Sequence, residues 1–485
     1  MNNQMHTESA LGTGSPTTQR VSEVAQPRSG AAYRGSEQAA LLLLRLFRRY
    51  PGVLTLKLWN GAAIRAGTDA ALAKDSPFTL VFHSPETVWS AVLGNDPLAL
   101  ADAYFRGELD IEGDFFAALS IKDHLDALRM PRAEKLLVAF TALRLRMLNA
   151  AAHHSERLFA PSDAPRIKAH SKAENRDAIH FHYDVSNEFY ALWLDRAMVY
   201  SCAYFESPEV DLDSAQQAKL DHICRKLSLR PGEKFLDVGC GWGALVIHAA
   251  RHYGVHAHGV TLSPQQLKVA RERIEHAGLG GSVSVELLDY RDLPGEARYD
   301  KVASVGMFEH VGLKNLPVYF STMHRLLKPH GLFLNHGITH DSEGWQPNVS
   351  TEFINRYVFP DGQLDTISNV ERAMEQAKFE IADVEGLRPH YAMTLRHWVG
   401  RLEANRERAL QYVNEATYRV WRLYMSACAL QFESGEIGIY QVLASKRAAG
   451  FLDLPLTRRH LYHSTFASER PTGMGGFKAL RSCVP

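Results

Sequence analysis

Phe235-Leu-Asp-Val-Gly239-Cys-Gly241-Trp-Gly243-Ala244 is an apolar strand that runs into a glycine-rich turn and opens a helix. Glycines there let the backbone approach a ligand that a Cβ would exclude. The spacing Gly239-x-Gly241-x-x-Ala244 formally admits a dinucleotide fingerprint, so a dehydrogenase is one reading. The end of the next strand, Gly259-Val-Thr261-Leu-Ser263-Pro-Gln265-Gln266, lacks the acidic ribose ligand that an NAD site expects. Thr261, Ser263 and Gln266 offer neutral polar contacts instead. Asp237, inside the strand, is an expensive carboxylate unless it meets a donor or a cation. A sulfonium cofactor with a free amino group supplies positive charge, so S-adenosylmethionine suits this turn better than a nicotinamide dinucleotide; a ligandless structural turn is the third reading.

Around that turn, strand and helix signals alternate: strands at Lys234–Val238, His256–Val260, Val283–Leu288, Tyr299–Val305 and Leu332–His336, with helices at Leu245–Tyr253, Pro264–Ala277 and Leu316–Leu327. Such alternation predicts a mostly parallel sheet covered by helices. Upstream, residues 35–150 read as a smaller mixed α+β unit, with a helix at Ala39–Arg49, strands near Val53–Leu58 and Phe78–Phe82, and helical segments between Pro85 and Phe105. Pro131–Leu148 reads as a helix in which Arg132, Lys135, Arg144 and Arg146 stand among Leu, Val and Phe. It either packs its apolar face on its own domain or meets a membrane surface.

The flanks are polar. Residues 1–34 are rich in Ser, Thr, Gly and Gln and read as a disordered leader, 151–176 as a linker, 177–450 as the larger domain of alternating strands and helices and 451–485 as a basic, glycine-containing tail. The chain has 54 Lys+Arg against 54 Asp+Glu, so no global field points to nucleic acid. Five scattered cysteines without a C-x-x-C pair argue against a zinc site or a disulfide framework and fit a reducing cytosol. His180-x-His182 and His256-x-His258 come with no recognisable ligand set, and no metal is expected. No signal peptide and no apolar run of spanning length stand out, so any membrane role is peripheral.

Several segments together carry a resemblance. They are His180-Phe-His182-Tyr183-Asp184-Val-Ser-Asn187, Tyr200-Ser-Cys202-Ala-Tyr204-Phe205, the glycine turn, Gly259-Val-Thr261-Leu-Ser263, Gly306-Met-Phe308-Glu309-His310-Val-Gly312 and Tyr357-Val-Phe-Pro360-Asp-Gly362. In order and spacing, from about Ala39 to Gly450, the chain resembles the cyclopropane-fatty-acyl-phospholipid synthases, relatives of the mycolic acid cyclopropane synthases. The resemblance implies a Rossmann-like S-adenosylmethionine-dependent methyltransferase domain behind a smaller N-terminal α+β lipid-associated domain. It implies methyl transfer to the cis double bond of an unsaturated phospholipid chain, followed by loss of a proton and ring closure, with bound bicarbonate as the general base.

By the same resemblance, cofactor contacts fall on Tyr200, Ser201, Asp237, Gly239, Cys240, Gly241, Gly243, Thr261, Leu262, Ser263, Gln266, Asp289, Tyr290 and Arg291. A bicarbonate site falls on Cys202, Glu309, His336, Ile338 and Tyr391. Cys428 is the cysteine often designated active, although a thiolate nucleophile has no evident task in this reaction. The implied partners are phospholipids of the bilayer and a second copy of the chain as a homodimer, with the protein cytoplasmic at the inner face of the membrane.

The chemistry asks for such residues. An alkene is a weak nucleophile, so it must be aligned with the methyl donor and shielded from water. The cation that forms needs aromatic faces, for which Tyr200, Tyr204, Phe205, Phe308 and Tyr391 are candidates, and nearby negative charge such as Glu309. Duller readings exist for each: buried hydrophobes for Cys202 and Cys428, a structural role for His336, and a helix-start carboxylate for Glu309. Alternatives of function are methylation without ring closure, methylation of a small acceptor, and a non-catalytic lipid-binding scaffold.

Overall fold

A computed structural model describes residues 33–93, 98–124, 131–150, 185–343, 349–358, 363–450, 452 and 454–462. The leader up to residue 32, the linker, His180 to Asp184, Pro360 to Gly362 and the tail beyond residue 462 lie outside the described residues.

The smaller unit is a four-stranded sheet of β1 (Val53–Lys57), β2 (Ala63–Gly67), β3 (Phe78–Phe82) and β4 (Leu109–Gly113), ordered β2-β1-β3-β4. Only β1 and β3 run parallel. Helices α1 (Ser36–Phe47), α2 (Pro85–Leu93), α3 (Ala99–Phe105), α4 (Phe115–Leu119) and α5 (Arg132–Leu148) accompany it. Strand β2 was not predicted: Ala-Ile-Arg-Ala-Gly carries one large apolar residue, and its pairing with β1 defines it. Helix α5 does pack on its own unit, through Val138, Ala142 and Leu145, which are buried.

Downstream, seven strands form one sheet: β5 (Lys234–Val238), β6 (His256–Thr261), β7 (Val283–Leu287), β8 (Tyr299–Val305), β9 (Leu327–His340), β10 (Phe379–Gly386) and β11 (Ile437–Lys446). Their order is β10-β11-β9-β8-β5-β6-β7. Strands β7, β6, β5, β8 and β9 are parallel, and β11 is antiparallel to both β9 and β10. This is the predicted Rossmann-like methyltransferase architecture. Both faces are covered, which is why the central strands are apolar at consecutive positions. One face packs Phe235, Ala257, Leu332 and Leu334 under α6 (Leu212–Lys226), α7 (Ala244–Tyr253) and α8 (Pro264–His276). The other packs Leu236, Val302 and Phe333 under α9 (Leu316–Leu326) and a helix at Ile367–Gln376.

The two units share a core. Phe353 and Val358, in and just after α10 (Val349–Tyr357), and Val420, in a helix at Glu415–Ser434, belong to the hydrophobic cluster of the smaller unit. Phe105 of α3 lies 6.1 Å from the Phe353 ring and 5.0 Å from the Tyr357 ring, and the Tyr357 hydroxyl donates to Asp102. The start of the tail is docked as well: Arg225 of α6 donates to the Leu461 carbonyl, and Arg458 pairs with Asp383.

Candidate active site

In an open α/β sheet, ligands bind beyond the carboxyl ends of the strands where the strand order reverses. Here that point lies between β5 and β8, and the glycine turn after β5 opens into it. Gly239 has φ 84°, a left-handed conformation, and a Cβ there would stand 3.1 Å from the Met307 side chain. The cavity beyond is lined by Tyr200, Ser201, Asp237, Gly239, Cys240, Gly241, Thr261, Leu262, Gln266, Asp289, Tyr290 and Arg291 of the predicted contacts.

Two predicted contacts are not among its lining residues. Gly243 sits at the N-cap of α7, with Ala270 occupying the space a Cβ would need. Ser263 caps α8, its hydroxyl accepting from the Gln266 amide at 3.3 Å. Trp242, inside the predicted loop, lines this cavity too; Lys219 and Met307 also line it and were not anticipated.

Asp237 and Lys219 give the cavity its electrostatics. Burial pushes the Asp237 carboxyl up to about 7, with the Lys219 ammonium opposing the shift. Burial likewise pulls Lys219 down to about 8, against Asp195 and Asp237. The Lys219 ammonium donates to Ser201 Oγ at 2.8 Å. At the end of β6, Thr261 Oγ1 donates to Gln266 Oε1 at 2.7 Å, and no carboxylate stands there to hold a ribose. Arg291 closes on Asp289 at 2.6 Å.

A second cavity of about 320 Å³ adjoins the first. Its lining brings together Cys202, Glu309, His336, Ile338, Tyr391 and Cys428, all the remaining predicted site residues. The walls are largely apolar, with Ile354, Leu364, Leu395, Ile437 and Ile439 among them. Alternation along β9 turns His336, Ile338 and His340 to the cavity. Tyr200, Ser201, Gly306 and His310 line both cavities and mark where they meet.

Glu309 Oε1 accepts from the Ile338 amide at 2.7 Å. The approach needs Gly337, since a Cβ there would lie 1.9 Å from the Phe308 ring and 3.1 Å from Glu309 Oε1. Glu309 Oε2 and His336 Nε2 are buried and make no hydrogen bond within the protein. Burial pushes the Glu309 carboxyl up and pushes His336 well down, where Lys219 and Lys226 add to the effect. Burial raises the Cys202 thiol, and it pushes Cys428 up to about 12, so neither is poised as a thiolate.

The expected aromatic faces are divided between this cavity and other surroundings. Tyr200 and Tyr391 line the second cavity, and Tyr424 and Phe432 join them. Tyr204 stacks on His222 and His390, Phe205 stacks on His397, and Phe308 packs in the core against the sheet. Among the described residues no group of three His, Cys, Asp or Glu side chains could hold a metal ion, and no helix is long and apolar enough to cross a membrane.

Comparison with known proteins bears on the family and the fold. Residues 170–442 match the mycolic acid cyclopropane synthetase family. A Pseudomonas putida protein named probable fatty acid methyltransferase is 42% identical over 414 residues, covering 84% of this chain and 96% of its own length. Cyclopropane-fatty-acyl-phospholipid synthase of Escherichia coli K12 is 38% identical over 304 residues, 63% of this chain and 77% of the relative. The solved structure of mycolic acid cyclopropane synthase CmaA1 with SAH and CTAB superposes with a TM-score of 0.53 at 34% identity, over 56% of this chain and 98% of the other. Cyclopropane synthase MmaA2 of Mycobacterium tuberculosis superposes equally, at 32% identity.

Proposed function

Because the chain belongs to the mycolic acid cyclopropane synthetase family and is an S-adenosylmethionine-dependent methyltransferase, we propose that it converts unsaturated phospholipid acyl chains to cyclopropane chains, with bicarbonate as the general base. The observation that carries this reading is the meeting of two unlike cavities at Tyr200, Ser201, Gly306 and His310: one walled by the glycine turn, the other largely apolar with Glu309 and His336 in its lining.

S-adenosylmethionine, when bound, supplies the methyl electrophile. The chain's own residues align and shield the alkene. Ile354, Leu364, Leu395, Ile437 and Ile439 exclude water that would capture a cation, and Tyr200, Tyr391 and Tyr424 supply aromatic surface. Asp237 and Lys219 line the first cavity and oppose each other's burial shifts there. Glu309 Oε2 can only accept while it is ionised, and His336 Nε2 can donate. Bicarbonate has one O–H to give and anionic oxygens to receive, so it fits this pair, and it would supply the acceptor for the surplus proton.

What supports the lipid partner and the membrane-surface location in this reading is α5. On the face away from its packed residues it leaves Leu136 at 73%, Phe140 at 62% and Met147 at 59% exposed, with Leu137 and Leu143 beside them. Arg132, Lys135, Arg144 and Arg146 share the helix. An apolar stripe flanked by cations suits the inner, anionic face of a bilayer, from which an acyl chain can be drawn. The homodimer belongs to the same reading. A second reading, methylation without ring closure, is favoured by the name of the Pseudomonas putida relative.

Incubation with vesicles of unsaturated phospholipid and methyl-labelled cofactor tests the proposal. Label in the acyl chains is expected; unlabelled lipid with protein that binds S-adenosylhomocysteine contradicts it.

A further inference from the structure

Gln441 interrupts an apolar face. Alternation along β11 sets Ile437, Ile439, Gln441 and Leu443 on one side, and the first two line the lipid cavity. Gln441 is fully buried, where an amide is costly unless hydrogen-bonded. Its Nε2 lies 3.1 Å from Nδ1 of His336, its direct partner across the ladder between β9 and β11.

On its other side the register places Glu385 of β10 opposite Gln441. The Glu385 carboxylate is held by His222 at 2.7 Å and Lys226 at 2.6 Å, both presented by α6 and both fully buried. Three neighbouring strands therefore carry His336, Gln441 and Glu385 in a row on one face, and α6 closes the outer end. Of these five residues, only His336 lines the cavity.

A neutral imidazole has one donor and one acceptor nitrogen, and the bond made by one nitrogen decides the other. Burial and the nearby lysine ammonium groups keep His336 neutral. Its Nε2 is the atom left without a partner.

We propose that Gln441 is a positioning residue: by donating to Nδ1 it fixes His336 in the tautomer that carries its hydrogen on Nε2, so the ring meets the cavity as a donor to a small oxyanion and not as a base. The inference rests on the bicarbonate reading given above. In the ring-closing step the C–H electron pair of the added methyl closes the ring. The proton goes to the oxyanion, which becomes the neutral acid, and His336 gains none.

The test measures the bicarbonate concentration for half-maximal activity in carbon-dioxide-free buffer, with S-adenosylhomocysteine affinity measured beside it. In Gln441→Glu a carboxylate accepts from Nδ1–H and turns a bare Nε2 toward the anion. Half-saturation should rise at least about tenfold. Gln441→Met, which removes the donor without imposing the other tautomer, should give a smaller rise. In both variants S-adenosylhomocysteine affinity should stay within about twofold of wild type, a pattern that a merely structural role for the amide would not produce.

Half-saturation unchanged in both variants, with a wild type that needs bicarbonate, overturns the inference alone. A wild type indifferent to bicarbonate overturns the reading of the cavity and the inference with it. Should both variants fail to bind S-adenosylhomocysteine, a neutron map of the wild type decides: deuterium on Nε2 of His336 supports the assignment, and deuterium on Nδ1 overturns it.

Discussion

Glu309 spends one carboxylate oxygen on the Ile338 amide, at 2.7 Å, and holds the other buried without a hydrogen bond in the protein. The backbone bond fixes the carboxylate, and the second oxygen is the one that the proposed bicarbonate would meet. Glu309→Gln keeps the shape and replaces one acceptor by a donor. Turnover is expected to fall at least about a hundredfold with S-adenosylhomocysteine affinity unchanged. Steady-state kinetics beside calorimetric titration check this, and turnover within a few-fold of wild type would remove Glu309 from the account.

Asp237 makes cofactor binding depend on pH. Its carboxyl is held up at about 7 by burial, so below that value the free protein carries it protonated. A ligand ammonium favours the ionised form, so binding must release the proton. Affinity for S-adenosylhomocysteine therefore rises with pH, by about tenfold from about pH 6 to about pH 8, and levels off above. In Asp237→Asn the rise should disappear. Titrations at several pH values in buffers of different ionisation enthalpy read both the slope and the proton.

Cys428 lines the second cavity, yet burial pushes its thiol up to about 12, which leaves almost no thiolate at neutral pH. Cys428→Ala is expected to keep turnover within about fivefold of wild type, the loss reflecting packing alone. A drop of more than about a hundredfold in well-folded protein would restore a chemical role to the sulfur.

Phe140 and Leu136 stand exposed on α5 while Val138, Ala142 and Leu145 hold the helix to its unit. Burying one such side chain is worth about 1.5–3 kcal/mol. Phe140→Asp should weaken sedimentation with anionic vesicles at least about tenfold and lower activity on them. Thermal stability should stay unchanged. Undiminished vesicle binding would move the docking face elsewhere.

Local sequence revealed the sheet and the turn because strand periodicity and a glycine cluster are short-range signals. It was poorer where burial contradicts composition. Helix α6, Leu-Asp-Ser-Ala-Gln-Gln-Ala-Lys-Leu-Asp-His-Ile-Cys-Arg-Lys, has the polar content of a solvated helix, yet 11 of its 15 residues are buried. Lys219, His222 and Lys226 went unread for that reason. Strand β9 runs on to His340, past the predicted stop at His336, because pairing with β11 continues to Ile437. Tyr204, Phe205 and Phe308 were expected at the cation; residue type cannot say which side of a loop faces a cavity, and these three face other rings or the core.

The most direct test uses S-adenosylmethionine deuterated at its methyl group with vesicles of monounsaturated phospholipid. Ring closure by proton loss from the added methyl leaves two of the three deuterons in each modified chain, with the double bond gone. Mass and proton spectra of the released fatty acids should find that pattern. Chains that retain all three deuterons in an open methyl branch would contradict ring closure in this cavity.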